Sequence, residues 1–212
     1  MTLLKENQVS VRILSDNTAS GSYESENGLS LLIRADGSTI LFDTGQGENI
    51  FSNAVKMGLL LDDIDALVLS HGHYDHTGGI PEIIRRNPGV EIFFHPDAVI
   101  SRYSMNPAHP GKQIGMPVMS VSALKKHPTS KIHLVRSPVE VRGGVMLTGA
   151  VPREVKMENT GGAFSLDPQG LSTDAIPDDM SMWLTTEKGL LVILGCCHSG
   201  IVNTVEYIRR ES

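Results

Sequence analysis

Cysteine is scarce in this chain of 212 residues, and the two present, Cys196 and Cys197, are neighbours. Adjacent cysteines cannot staple distant segments, so they exclude a disulfide scaffold and point to reduced thiols in a cytoplasmic protein. Long apolar runs are missing as well. The aliphatic stretch GLLVILG at 189–195 is far below the roughly 20 residues a membrane helix requires. The opening MTLLKENQVSVRILSDN lacks the charged region and apolar run of a signal peptide. Positive charge is not in surplus either: 18 Lys and Arg face 24 Asp and Glu, for a net charge of −6. Binding to a phosphate backbone draws on surplus Lys and Arg, so nucleic acid is excluded as the main partner. A small anionic substrate, which needs only a few local cations, is not. The reading is therefore a small-molecule partner, no nucleic acid and no membrane, with the oligomeric state left open. Hydrophobic residues make up 40% of the chain, enough for a sizeable core, and the length fits one domain over 1–212.

Patterning along the chain alternates strands with helices. VSVRIL (9–14) and LSLLIRADGSTILFDTG (29–45) read as strands, with ADG as a hairpin turn. ENIFSNAVKMGLL (48–60) takes helical spacing, placing Ile50, Phe51, Ala54, Val55 and Leu59 on one apolar face and Gly58 at its stop. IDALVLS (64–70) is a short buried strand, GGIPEIIRRNPG (78–89) a helix and VEIFFHP (90–96) another strand. About 101–137 reads as a loop-rich insertion, mobile or facing substrate. Strands return at 139–152 and in a hairpin over 180–195, 157–179 is loop-like, and GIVNTVEYIRR (200–210) closes as a helix. Such an order implies an α/β layered fold.

Three of the eight histidines crowd into SHGHYDHTGG (70–79), directly after the strand 64–70. His71 and His73 are two apart, so in extended backbone their imidazoles point to the same side and can reach one ion. Asp75 and His76 follow a turn later and can reach a second ion, about 3.5–4 Å away in typical two-metal sites. Three nitrogens and a carboxylate suit zinc, with iron or manganese as alternatives, whereas magnesium prefers oxygen ligands. A histidine-rich surface loop is the plain alternative.

The run H-G-H-Y-D-H-T-G-G resembles the H-x-H-x-D-H signature of the metallo-β-lactamase superfamily. That resemblance implies a four-layered αββα sandwich and a site for two divalent metal ions. LFDTG (41–45) is similar to the superfamily's early aspartate strand, which gives Asp43 the role of supporting the metal loop from behind. ENGLSLLI, ILFDTGQGE, LSHGHYDHTGG, TGAVPRE and LVILGCCHSGIVNTVEYI together resemble one branch. It is the branch named for a methanopterin-pathway synthase that joins a dihydropterin to a ribofuranosylaminobenzene phosphate. By resemblance His198 in GCCHSG is the remote metal ligand. The branch pattern continues beyond RRES (209–212) to a further histidine segment, so the expected fold lacks its C-terminal portion.

Cys196 is a candidate ligand or reactive thiol, since thiolates bind zinc and iron well and the branch motif carries a cysteine there. A small apolar filler beside a buried strand is the alternative, for Cys197 above all. His95, His109, His127 and His133 read as surface or loop residues. On the substrate side, Arg153 just past a strand end can grip a phosphate bidentately, and Lys112 lies on a glycine-flanked loop. Either is equally a solvated charge. Trp183 and Tyr103 can stack on a planar ring or serve as packing, and Asp178 or Asp179 can orient a ligand or cap a turn. The expected function is a metal-dependent hydrolase or transferase acting on a small phosphorylated, pterin-like molecule, with Asp75 orienting the nucleophile or accepting its proton. The alternatives are a di-iron redox enzyme on the same fold and a truncated, non-catalytic metal-binding domain.

Overall fold

Two runs of aliphatic and β-branched residues joined by Asp36-Gly37 seed the larger sheet of the computed structural model, which describes residues 3–212. Both turn residues have positive φ, 45° and 79°, the backbone that two-residue hairpins need to match strand twist. They connect β2 (Ser30–Ala35) to β3 (Ser38–Phe42), and β1 (Val9–Ser15) pairs antiparallel on the other side of β2. From β3 onward pairing is parallel, through β4 (Ala66–Val68), β5 (Glu91–Phe94) and β8 (Ile132–Leu134). The crossovers carry α1 (Ile50–Lys56), α2 (Tyr74–Thr77), α3 (Ile80–Arg86) and α4 (Val118–Lys126).

Strand alternation sends neighbouring side chains to opposite faces. Leu41, Leu67, Leu69 and Ile92 bury against Ile50, Ile80, Ile83 and Leu124 from the helices. Phe42, Val68 and Phe93 face inward with Leu147, Met182, Leu184 and Ile193 from the second sheet. Full burial of each such side chain contributes about 1.5–3 kcal/mol. The second sheet is antiparallel, ordered β13 (Gly189–Ile193), β12 (Met182–Thr186), β10 (Val145–Leu147), β9 (Val139–Arg142). α5 (Ile201–Glu211) completes the outer layer and buries Asn203, Thr204 and Ile208. The layers run helix, sheet, sheet, helix, the αββα sandwich anticipated from the sequence. A small third sheet joins β6 (Tyr103–Ser104), β7 (Lys112–Gln113) and β11 (Phe164–Ser165). No helix among the described residues is long and apolar enough to cross a membrane.

Two local expectations need correcting. The stretch 101–137 is not mainly loop: the short strands β6 and β7 pair before Pro117, α4 buries Leu124 in the outer core and β8 extends the large sheet. Three-residue strands and a helix burying only Ser120 and Leu124 leave little periodicity to detect. In α1 the inward face is Ile50, Asn53 and Ala54, while Val55 points to solvent. The helix ends at Lys56, and Gly58, at φ 67°, turns the chain as expected of a stop.

Candidate metal centre

Asp43, the residue after β3, stands in left-handed backbone at φ 59° with its side chain wholly buried. Its amide donates to the Val68 carbonyl, which fixes the end of β3 against the end of β4. From there the carboxylate accepts the Ser70 amide at 2.7 Å, the Ser70 hydroxyl at 2.6 Å and His76 Nδ1 at 2.7 Å. One acid thereby sets both ends of the segment 70–76 that carries the histidines.

His71 leaves β4 with its Nδ1 2.9 Å from the Ser70 hydroxyl and its Nε2 2.8 Å from His73 Nδ1. Gly72 between them has no room for a side chain: a Cβ would lie 1.9 Å from the Ala98 carbonyl oxygen. His73 caps the short α2 in extended backbone, which turns Asp75 and His76 onto the first helical turn. His198 arrives from the far end of the chain, where its Nδ1 contacts the Thr160 carbonyl at 2.6 Å. Its ring centroid lies 4.8 Å from that of His71 and 5.0 Å from that of His73. The Phe164 ring of β11 packs on both His73 and His198 and closes this side of the cluster.

Two donor sets result. The side-chain nitrogens of His71, His73 and His198 converge within 4.8 Å, as do the donor atoms of His71, His76 and Cys196. Cys196 Sγ is 3.0 Å from His76 Nε2. His73 Nε2 and His198 Nε2 are buried and have no hydrogen-bond partner among the described residues. Native interiors rarely leave such atoms unsatisfied, and a cation among them would satisfy both, so the site fits a metal. Asp75 is outside these sets but close, with Oδ2 4.0 Å from His76 Nε2. It borders a cavity of about 200 Å³ together with Asp16, Gly28, His76 and Cys196. A larger cavity of about 360 Å³, bounded by Ile13, Tyr23 and Met57, does not touch the cluster.

The electrostatics favour neutral, ligating imidazoles at His71 and His73, whereas at His198 burial is outweighed by the neighbouring Cys196 and the Thr160 carbonyl, which raise it above its ordinary value. Burial holds His71 well below the usual histidine range, and the neighbouring His76 and His73 add to this. Burial also lowers His73, to about 2, helped by His198 and Arg102. Burial opposes charge on His76 too, but the Asp43 carboxylate outweighs it and raises that group well above its ordinary value. Burial raises the Cys196 thiol, yet the neighbouring His198 and His76 imidazoles prevail and leave it below its ordinary value.

Other residues singled out in the sequence fall elsewhere. The Arg153 guanidinium is taken up by main-chain carbonyls, donating to His198 at 2.7 Å and to Ala175 and Ile176, so it holds a loop instead of presenting a fork to a phosphate. Lys112 is exposed on β7, with its ammonium 5.5 Å over the Tyr74 ring, one residue from Asp75. Trp183 is fully buried in the sandwich and unavailable for stacking, while Tyr103 is half-buried in β6. Asp178 and Asp179 are both buried, Asp178 against Arg102 and Asp179 accepting the Ser199 amide. His95 and His127 lie in loops, as expected of surface or loop residues, but are buried there, and bond Asp97 and the Val90 carbonyl. His133 pairs with Glu91, and His109 is exposed in a turn. Sequence reasoning missed Ser70, Thr160 and Phe164 as parts of the site. Only Ser70, adjoining the histidine run, carried a local signal.

Comparison with known proteins follows the same lines. A family model described as the metallo-beta-lactamase superfamily matches residues 25–143. An uncharacterized protein of Methanocaldococcus jannaschii is 32% identical over 203 residues, covering 95% of this chain and 75% of that protein. The 7,8-dihydropterin-6-methyl-4-(beta-D-ribofuranosyl)-aminobenzene-5'-phosphate synthase of the same organism is 28% identical over 222 residues, covering 97% of this chain and 74% of the synthase. Among solved structures, Tm1679, a metal-dependent hydrolase of the beta-lactamase superfamily, aligns with a TM-score of 0.77 at 26% identity, covering 95% of this chain and 71% of that one.

Proposed function

The chain belongs to the metallo-β-lactamase superfamily, and on that premise we propose that it is a metal-dependent hydrolase or transferase acting on a small phosphorylated molecule. The observation that carries the proposal is the pair of orphaned nitrogens, His73 Nε2 and His198 Nε2, buried beside His71. A single ring nitrogen serves one ion, so His71 cannot complete both donor sets. We assign His71, His73 and His198 to the first ion, and Asp75, His76 and Cys196 to the second. Donor sets rich in nitrogen and sulfur suit zinc. Bound there, divalent ions supply Lewis-acid polarisation of a phosphoryl oxygen and lower the pKa of a water toward about 7.

The chain's own groups do the rest. Asp43 holds the His76 ring by its Nδ1, which leaves Nε2 directed at the second position. Asp75, part-exposed at the cavity, orients the nucleophile or accepts its proton. Among the described residues lining that cavity are Asp16 and Asp75 but no Lys or Arg. With Arg153 occupied by carbonyls, an anionic substrate would be matched by the ions themselves and by Lys112, whose ammonium lies over the ring of Tyr74 beside Asp75. The likeness to the dihydropterin synthase supports a pterin-like phosphorylated compound as the substrate class. Cys196 beside His76 favours a second reading, an iron-dependent redox enzyme, because the same donors hold iron.

Metal quantification on the purified chain tests the proposal. Two equivalents of zinc are expected in the wild type and a marked loss in His71→Ala. Unchanged metal content in that variant would overturn the assignment, and stoichiometric iron with dioxygen reactivity would replace hydrolysis by the redox reading.

A further inference from the structure

Three consecutive residues outside the donor sets reach both halves of the centre. Asp178 Oδ2 accepts the Gly72 amide at 2.8 Å, across 106 residues of sequence. Asp179 Oδ2 accepts the Ser199 amide at 2.8 Å, and the Met180 amide donates to the Ser70 carbonyl at 2.8 Å. Gly72 separates His71 from His73, and Ser199 follows His198. Segment 178–180 therefore grips the loop of the first histidines at two points and the loop of the remote histidine at a third.

The grip has its own foundation. Arg102, whose side chain is fully buried, donates from Nη1 to Asp178 Oδ2 at 2.8 Å and from Nη2 to Asp178 Oδ1, a bidentate pair. Its Nε lies 3.0 Å from Asp174 Oδ2, and Nη2 also reaches the Asp97 carbonyl at 3.2 Å. Two fully buried neighbouring carboxylates are costly to desolvate, and a turn between β10 and β12 does not require them. What they gain is a pair of strong acceptors at fixed separation, one per loop. A guanidinium fork fixes the plane of the carboxylate it pairs with, which a lysine ammonium would leave free to rotate.

We propose that Asp178, anchored by Arg102, and the adjoining Asp179 are positioning residues that set the spacing between the His71–His73 loop and the His198 loop. Because an amide held by a rigid acceptor fixes the direction of the adjoining side chains, loss of either bond lets one half of the donor set drift from the other. The inference rests on the metal-centre reading given above and adds to it residues that touch neither ion nor substrate.

The test uses cobalt(II) as the probe on the full chain, with affinity measured by chelator competition, the visible spectrum as the geometry readout and backbone amide exchange at Gly72 and Ser199. Asp178→Ala and Asp179→Ala are expected to weaken cobalt binding by about 10–100-fold, to alter the spectrum, and to speed exchange at Gly72 and Ser199 respectively. Asp178→Asn keeps an acceptor oxygen but loses the charge pairing with Arg102, so it is expected to fall between wild type and Ala. If the Ala variants do not fold, Asp178→Asn and Asp179→Asn are read in the same way. Folded variants with wild-type affinity and spectrum would overturn the proposal, even with faster amide exchange. A His71→Ala control separates the two ideas: if it binds cobalt as the wild type does, the metal reading falls and the brace with it. If His71→Ala loses cobalt while the brace variants retain it, only the brace falls.

Discussion

Asp43 Oδ2 lies 2.7 Å from His76 Nδ1, both side chains are buried, and 33 residues separate them. The same carboxylate holds Ser70 through its amide and its hydroxyl, so its removal strands three buried polar groups together. Each buried group left without a partner costs about 1–3 kcal/mol. Asp43→Ala is thus expected to lower unfolding stability by about 3 kcal/mol or more in urea denaturation. Asp43→Asn should be milder, since asparagine tolerates the left-handed backbone at this position. Equal stabilities for wild type and Asp43→Ala would refute this account of the support.

Acid should destabilise the metal-free protein through His73. Its folded value of about 2 lies below the ordinary 6.5, chiefly because of burial. The unfolded chain therefore binds a proton in a window where the folded chain does not. The contribution is fully present above 6.5 and is lost as pH falls from 6.5 toward 2, at up to about 1.4 kcal/mol per pH unit. His76 runs the other way: its raised value makes its contribution complete below the ordinary range and lost as pH rises through the folded value. His73→Gln isolates the first effect. Its stability is expected to fall less steeply than that of the wild type between about pH 6.5 and about pH 4.5, and parallel slopes would count against burial as the cause.

Gly28 and Gly21 make a matched pair. Both have positive φ, but a Cβ on Gly28 would sit 1.8 Å from the Asp75 carbonyl oxygen, whereas one on Gly21 meets nothing within 4 Å. Gly21→Ala should cost only about 1–2 kcal/mol of backbone strain. Gly28→Ala adds a steric overlap of about 1–3 kcal/mol and should displace Asp75, lowering occupancy of the second metal position more than the first. Similar melting temperatures and metal contents for the two variants would show that the contact is not needed.

Arg153 should behave as a structural tie. Its three acceptors are the carbonyls of His198, Ala175 and Ile176, and hydrogen bonds from a charged donor contribute about 1.5–3 kcal/mol. Arg153→Ala is expected to lower thermal stability by a part of that, reduced by the exposure of the side chain, and to loosen cobalt binding at the His198 loop. A variant with unchanged stability but weakened binding of an anionic substrate would restore the phosphate-gripping role.

Much of the fold and half of the site were legible because their signals are local. The Asp36-Gly37 turn, the buried strand before the histidines and the H-x-H-x-D-H spacing each lie within a few residues, where backbone period alone decides which side chains share a face. The helix and strand inside 101–137 were not legible, since a helix burying only Ser120 and Leu124 and a three-residue strand have almost no period of their own. Arg153 misled for a related reason, because an arginine past a strand end looks the same whether it faces a ligand or three carbonyls.

The sequence by itself determined the donor types, their spacing in the first half of the centre and an α/β layered order, which the resemblance to the superfamily sharpened to αββα. The tertiary structure alone decided which distant groups meet them: His198 beside His71 and His73, Cys196 against His76, and Asp178 and Asp179 under both loops. The reason is physical. Spacing along a chain fixes directions only over one or two turns of backbone, whereas contacts across 106 residues exist only once two sheets have packed and brought their loops to the same edge.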